Sequence, residues 1–149
     1  MNAFNVWARK NRETCIDLLR IYLGVLFVVK GFHLGLNRQE LLNYLSEADL
    51  SGLPYFDAFE LMAVHYTILA HIVGGVLLVL GLATRAAALF QLPAVLGAAI
   101  LVHSGEHTFF GQALGLEYVS LLFFVLLFFF VYGSGALSLD ALIKKKRVH

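Results

Sequence analysis

Four long apolar stretches separated by short polar segments dominate the chain. They run roughly over residues 16–36, 59–83, 86–104 and 117–133. Each is close to the ~20 mostly apolar residues that a helix needs to cross a bilayer. The stretch LLFFVLLFFFVY, from Leu121, carries no polar face, whereas a helix of a soluble bundle shows one every 3.6 residues. The pattern therefore predicts an all-α protein, an integral membrane four-helix bundle formed as one domain over residues 1–149. Residues 38–57 form the longest connection, Thr84–Arg85 a tight turn, and residues 105–116 a Gly-rich link. In the first connection Leu41, Leu42, Leu45 and Ala48 fall on one helical stripe that Gly52 and Pro54 end. That stripe predicts a short helix lying at the outer interface, with a plain connector as the alternative.

Charge then orients the bundle. Arg9, Lys10 and Arg12 precede the first span, Arg85 sits between the second and third, and Lys144, Lys145, Lys146 and Arg147 follow the fourth. Only Arg38 lies on the opposite side, with Glu40, Glu47, Asp49, Asp57 and Glu106. Cytoplasmic loops carry the excess of lysine and arginine, so both termini are expected in the cytoplasm of a bacterial-type inner membrane. The charged lead-in resembles a signal peptide, but the apolar stretch after Ile16 is too long for a cleaved h-region and ends without a small-x-small site.

Composition supports this reading. Hydrophobic residues make up 60% and charged residues 14% of the 149, against about 45–50% and about 25% in soluble domains. A single cysteine, Cys15, excludes an intrachain disulfide or a CxxC redox centre. So little sequence lies outside the spans that a separate catalytic domain is not expected. The basic C-terminal run reads as a topology anchor that also meets anionic lipid, and nucleic acid is not an expected partner.

The candidate chemistry lies in polar residues placed where lipid is expected. The first span carries Arg20, Lys30 and His33. Arg20 is expected to snorkel to the cytoplasmic side, and Lys30 to face the interior or a wet cavity. Gly24, Gly31 and Gly35 share one face of the same helix, a stripe that lets a neighbouring helix approach closely. The second span carries His65 and His71, about 120° apart on the helix and so not directed at one point. His71 is followed closely by Gly74 and Gly75. His103 ends the third span, with Glu106 and His107 beyond it, and Gln91 and Pro93 lie within it. Pro93 is expected to shape that helix.

Lys30, His33, His65, His71 and His103 thus form a candidate ligand-binding set, concentrated in the outer half. Histidine titrates near neutrality and can donate, accept or ligate. Three readings stand: a hydrogen-bonding pocket for a quinone head group or a proton path; a metal held by His103 and His107, four residues apart; or histidines that only satisfy one another at a wet rim. Bis-histidine haem is a variant of the second.

Three stretches resemble the DoxX family of small membrane proteins. They are LLRIYLGVLFVVKGFH from Leu18, HIVGGVLLVLGLATRAAAL from His71, and GSGALSLDAL from Gly133, with Gly52-Leu53-Pro54 ahead of the second span. Family members commonly carry an acidic residue where this chain has His71. The resemblance implies a four-helix membrane subunit linked to respiratory or oxidative-stress redox chemistry, through quinones in some relatives. It also implies structural roles for Arg20, Arg85, Asp140, Gly74 and Gly75. Asp140 is expected to pair with Arg20 or Arg85 and hold the fourth span to the bundle. Since no electron carrier is evident, a redox partner protein or a homo-oligomer is expected, and the alternative is a non-enzymatic membrane anchor or assembly factor.

Overall fold

The computed structural model describes residues 3–47, 56–104 and 115–147, and all of their regular structure is helical. Helix α1 spans Ala3–Leu36, α2 Arg38–Glu47 and α3 Phe56–Leu69. A π turn, Ala70–Gly74, joins α3 to α4, Gly75–Leu80. Helix α5 covers Thr84–Ser104, α6 Gly115–Tyr132 and α7 Leu139–Arg147. Two of these rods, Leu61–Leu80 and Gly115–Tyr132, are long and apolar enough to cross a membrane, and the apolar stretch Thr84–Ile100 makes up most of α5.

Helix α1 runs against the π turn and α4, and α5 runs along α6. Leu23, Phe27, Leu78, Ala87, Ala88, Val95, Val119, Leu126 and Phe129 form the buried core between them. Outside it, large apolar side chains such as Phe32, Met62, Leu96, Phe124 and Val131 stand exposed. So broad an apolar exterior marks a surface made for an apolar surrounding or a partner.

Glycine sets how closely α1 approaches its neighbour. A Cβ added at Gly24 would lie 2.7 Å from the Gly75 carbonyl oxygen and 2.7 Å from the Val79 nitrogen. One at Gly31 would lie 2.7 Å from the Ile72 side chain, and one at Gly75 2.9 Å from the Gly24 oxygen. The two backbones meet where only hydrogen fits. Gly35, 3.7 Å from Ile68, sits where the helices have begun to separate.

The turn after the second rod differs from the expected one. The helix stops at Leu80, residues 81–83 make the turn, and Thr84 and Arg85 already belong to α5. Gly81 takes a left-handed conformation (φ 65°). Its N–H bonds the Leu78 oxygen (3.1 Å), and the Leu82 N–H bonds the Leu77 oxygen (3.0 Å). This is the Schellman ending that glycine favours, and the pattern of apolar residues alone does not locate it. Helix α1 also starts far ahead of residue 16, because the charged residues that precede the apolar stretch continue the same helix. The expected interfacial helix corresponds to α2; Ala48, Gly52 and Pro54 lie outside the described residues.

Candidate functional site

Two polar assemblies sit within this apolar framework. The first is at the turn end. Asp17 and Arg20 are three apart on α1, hence on one face, and both are fully buried. The Arg20 Nη2 donates to Asp17 Oδ1 at 3.0 Å and to the Leu137 carbonyl at 2.9 Å. Its Nη1 donates to the Leu78 carbonyl and, at 3.1 Å, to that of Val79. These carbonyls close α4, where the helix end carries partial negative charge and lacks intrahelical donors. Asp17 Oδ2 in turn accepts the Leu137 N–H at 2.7 Å. One ion pair therefore ties α1, the end of α4 and the segment after α6.

The glycines around the pair leave room for it. A Cβ at Gly81 would lie 2.6 Å from Arg20 Nη1, and one at Gly135 2.6 Å from Asp17 Oδ2. Arg20 is thus an interior cross-link and does not snorkel, because its donors find closer partners inside than at the interface. The Asp140 expectation also changes. Its Oδ1 and Oδ2 accept the backbone N–H groups of Ala83 (3.0 Å) and Thr84 (3.3 Å), and its own N–H donates to the Gly81 oxygen at 3.1 Å. The carboxylate caps the start of α5, while Arg20 pairs with Asp17. Arg85 is exposed, and its side chain passes close to Gly133, 3.2 Å from a Cβ placed there. Asp17 was not singled out from the sequence; its signal was an acid three residues before an arginine within an apolar run.

The second assembly lies at the π turn. A π turn inside an α-helix is rare and recurs at functional sites. His71 is on it, half-buried, with Nδ1 2.9 Å from the Thr67 oxygen. Phe27 of α1 meets the imidazole edge to face, with ring centroids 5.0 Å apart. The His71 Cβ would lie 3.0 Å from a Cβ at Gly31. Lys30 is the chain neighbour of Gly31 on α1 and so sits at the level of His71. Gly75 of the double glycine faces α1, and Gly74 faces α5, where Gln91 lies across it. Gln91 is fully buried and neither amide atom has a partner among the described residues. Its signal in the sequence was a lone amide in AAALFQLPAVLGAA, read there as part of the span.

The other candidate residues separate from this centre. His33 is exposed and contacts Asn37 of its own chain segment, with Nε2 3.3 Å from Asn37 Nδ2. His65 is exposed with Nδ1 2.7 Å from the Leu61 oxygen of its own helix. His103 falls in the last turn of α5, and its side chain lies outside the described residues, as does all of His107. Among the described residues no group of three or more histidine, cysteine or acidic side chains is placed to hold a metal. Pro93 lies inside α5, and near it the Tyr66 hydroxyl donates to the Phe90 carbonyl at 2.5 Å.

The buried Asp17–Arg20 pair, the glycine seam, the π turn and Gln91 all fall within residues 15–104, which match the DoxX family model. The chain belongs to the DoxX family. It is accordingly a membrane protein, in keeping with its exposed apolar helices. The matched region ends before the GSGALSLDAL segment, although that segment receives the ion pair. No curated protein and no solved structure matches the chain.

Proposed function

We propose that this DoxX protein is a four-span subunit of a bacterial-type inner membrane, with both termini in the cytoplasm, and that it serves respiratory or oxidative-stress redox chemistry by binding a quinone. The observation that carries this reading is His71. An imidazole on a π turn, inside an otherwise apolar rod and beside Gly31, the chain neighbour of Lys30, puts a donor–acceptor group and a cation at one depth. A quinone carbonyl accepts hydrogen bonds, and its reduction to a quinol takes two electrons and two protons. Histidine is suited to hold or pass such a proton. The electrons would come from a partner redox protein. The turn-end ion pair fixes α1 against the end of α4 and so holds Lys30 at the level of His71.

Lipid extracts of the purified protein are expected to contain quinone in stoichiometric amount, and the His71→Gln variant to lose it. A quinone-free extract, with no tight binding when quinone is added back, overturns the reading. A second reading is favoured by the self-contained bonding of Asp17, Arg20, His33 and His65: a non-enzymatic anchor or assembly factor. It expects a co-purifying partner and unchanged partner binding after single replacement of each histidine by glutamine.

A further inference from the structure

Helix α7, LDALIKKKR, has two unlike sides. Among the described residues no other helix runs along it, and its bonds to the bundle come from its first turn. Ser138 caps that turn, its Oγ accepting the Ala141 N–H at 3.1 Å. Asp140 faces the bundle, where its carboxylate and N–H bond Ala83, Thr84 and Gly81. Leu139, Leu142 and Ile143, at i, i+3 and i+4, share a different face. All three are exposed, Leu142 to 62%. An apolar stripe on the outside of so short a helix calls for a cover.

Charge selects which cover fits. Lys144, Lys145 and Lys146 follow directly and are exposed. Lys146 continues the apolar stripe itself, three residues beyond Ile143 and four beyond Leu142. An apolar partner helix would have to bury that ammonium. At a bilayer surface, by contrast, the lysine stem lies along the acyl chains while its charge reaches the headgroup phosphate. The one acid of α7, Asp140, is turned to the bundle, so no acid of this helix opposes an anionic surface. We propose that α7 lies in the bilayer interface as a docking surface for anionic lipid, and that the lipid thereby tightens the ion-pair end of the bundle. The coupling runs through the backbone. Two residues before α7, Leu137 gives its N–H to Asp17 at 2.7 Å and accepts Arg20 Nη2 on its carbonyl at 2.9 Å. Asp140 holds the start of α7 to the turn between α4 and α5. A ligand that binds only the folded arrangement raises its stability. Such coupling is more than anchoring, and it depends on membrane residence alone, not on quinone binding or on which side the termini face.

The test uses the full-length protein in phosphatidylcholine nanodiscs with and without phosphatidylglycerol. Amide hydrogen exchange over α7 is expected to slow severalfold when phosphatidylglycerol is present, and Tm to rise by several degrees. Both responses are expected to fade at high salt, which screens the headgroup charge without any substitution. A variant carrying Lys144→Gln, Lys145→Gln and Lys146→Gln together is expected to lose both responses while keeping the wild-type Tm in phosphatidylcholine. Fast exchange over α7 in both discs overturns the proposal. Equally slow exchange in both overturns it in favour of an apolar occupant such as a second copy. Responses that the triple variant retains, or protection of α7 without a rise in Tm, overturn it too. Quinone content is read separately, so either idea can fail alone.

Discussion

At the turn end of the long helices, polar side chains are taken inside; toward the other end, they are left outside. Asp17 and Arg20 are fully buried and bonded to two segments besides their own helix. His33 and His65 are exposed and bonded to backbone or side chains within four residues of themselves. The difference is one of cross-linking. A buried pair that bridges α1, α4 and the segment after α6 must be assembled together or left uncompensated, so it specifies one arrangement of these elements. A histidine satisfied by its own helix places no demand on any other element. His71 lies between the two regimes, bonded within its helix but packed on α1 through Phe27 and Gly31.

That contrast can be broken most forcefully at Arg20. Arg20→Ala leaves Asp17 as a buried unpaired charge, and losing one partner of such a pair costs about 3–5 kcal/mol. A large fall in folded yield and Tm in detergent is expected. Replacing both members together, Asp17→Leu with Arg20→Met, is expected to be milder than Arg20→Ala alone, since no charge is then stranded. A double variant as damaging as the single one would show that the bonds to Leu78, Val79 and Leu137, more than the pairing, hold the end together.

The glycine seam gives the next largest effects. Gly24→Ala drives a methyl into backbone at 2.7 Å, where side-chain adjustment cannot relieve it, at a cost of about 1–3 kcal/mol. Gly35→Ala, at 3.7 Å from Ile68, should change Tm little. Gly97, with nothing within 4 Å of its added Cβ, should gain up to about 1 kcal/mol from alanine through helix propensity. The order Gly24, Gly35, Gly97 in a thermal-shift series tests the close approach directly.

Asp140→Asn keeps a capping oxygen for Ala83 or Thr84 and loses the charge at the helix start. A loss of about 0.3–1 kcal/mol is expected. Asp140→Ala also removes the cap, and its cost should be larger, about 0.5–2 kcal/mol. Had Asp140 paired with an arginine, Asp140→Asn would be nearly as harmful as Asp140→Ala, so the ratio of the two Tm shifts separates cap from ion pair. Smallest of all, His33→Gln and His65→Gln should each shift stability by no more than about 0.5 kcal/mol, as exposed substitutions do. Under the quinone reading they should also leave quinone content intact, in contrast to His71→Gln.

Much of the framework could be read from residue order. The apolar runs placed the helices, and the spacing of Gly24, Gly31 and Gly35 identified the face that α4 and the π turn approach. These are local properties, set by periods of 3.6 residues and by the absence of a Cβ. The same reasoning separated His65 from His71 by angle, and their different surroundings follow from it.

Partnership was not legible in that way. Arg20 could be placed on a face of α1, but its partners are Asp17 on the same helix and carbonyls at Leu78, Val79 and Leu137, up to 117 residues away. The pattern of charges pointed to Asp140 as the counter-ion of Arg20 or Arg85. Only the folded chain brings the Asp140 carboxylate to the start of α5 and leaves Arg20 to Asp17. Gln91 repeats the lesson. Its place in an apolar run was evident, whereas its lying across Gly74, with no partner for its amide, depends on how α5 meets the π turn. Residue order alone determined where helices form and which faces are smooth or polar. Tertiary structure decided which polar atoms meet, because hydrogen bonds act over about 3 Å and no sequence period carries that distance between separate helices.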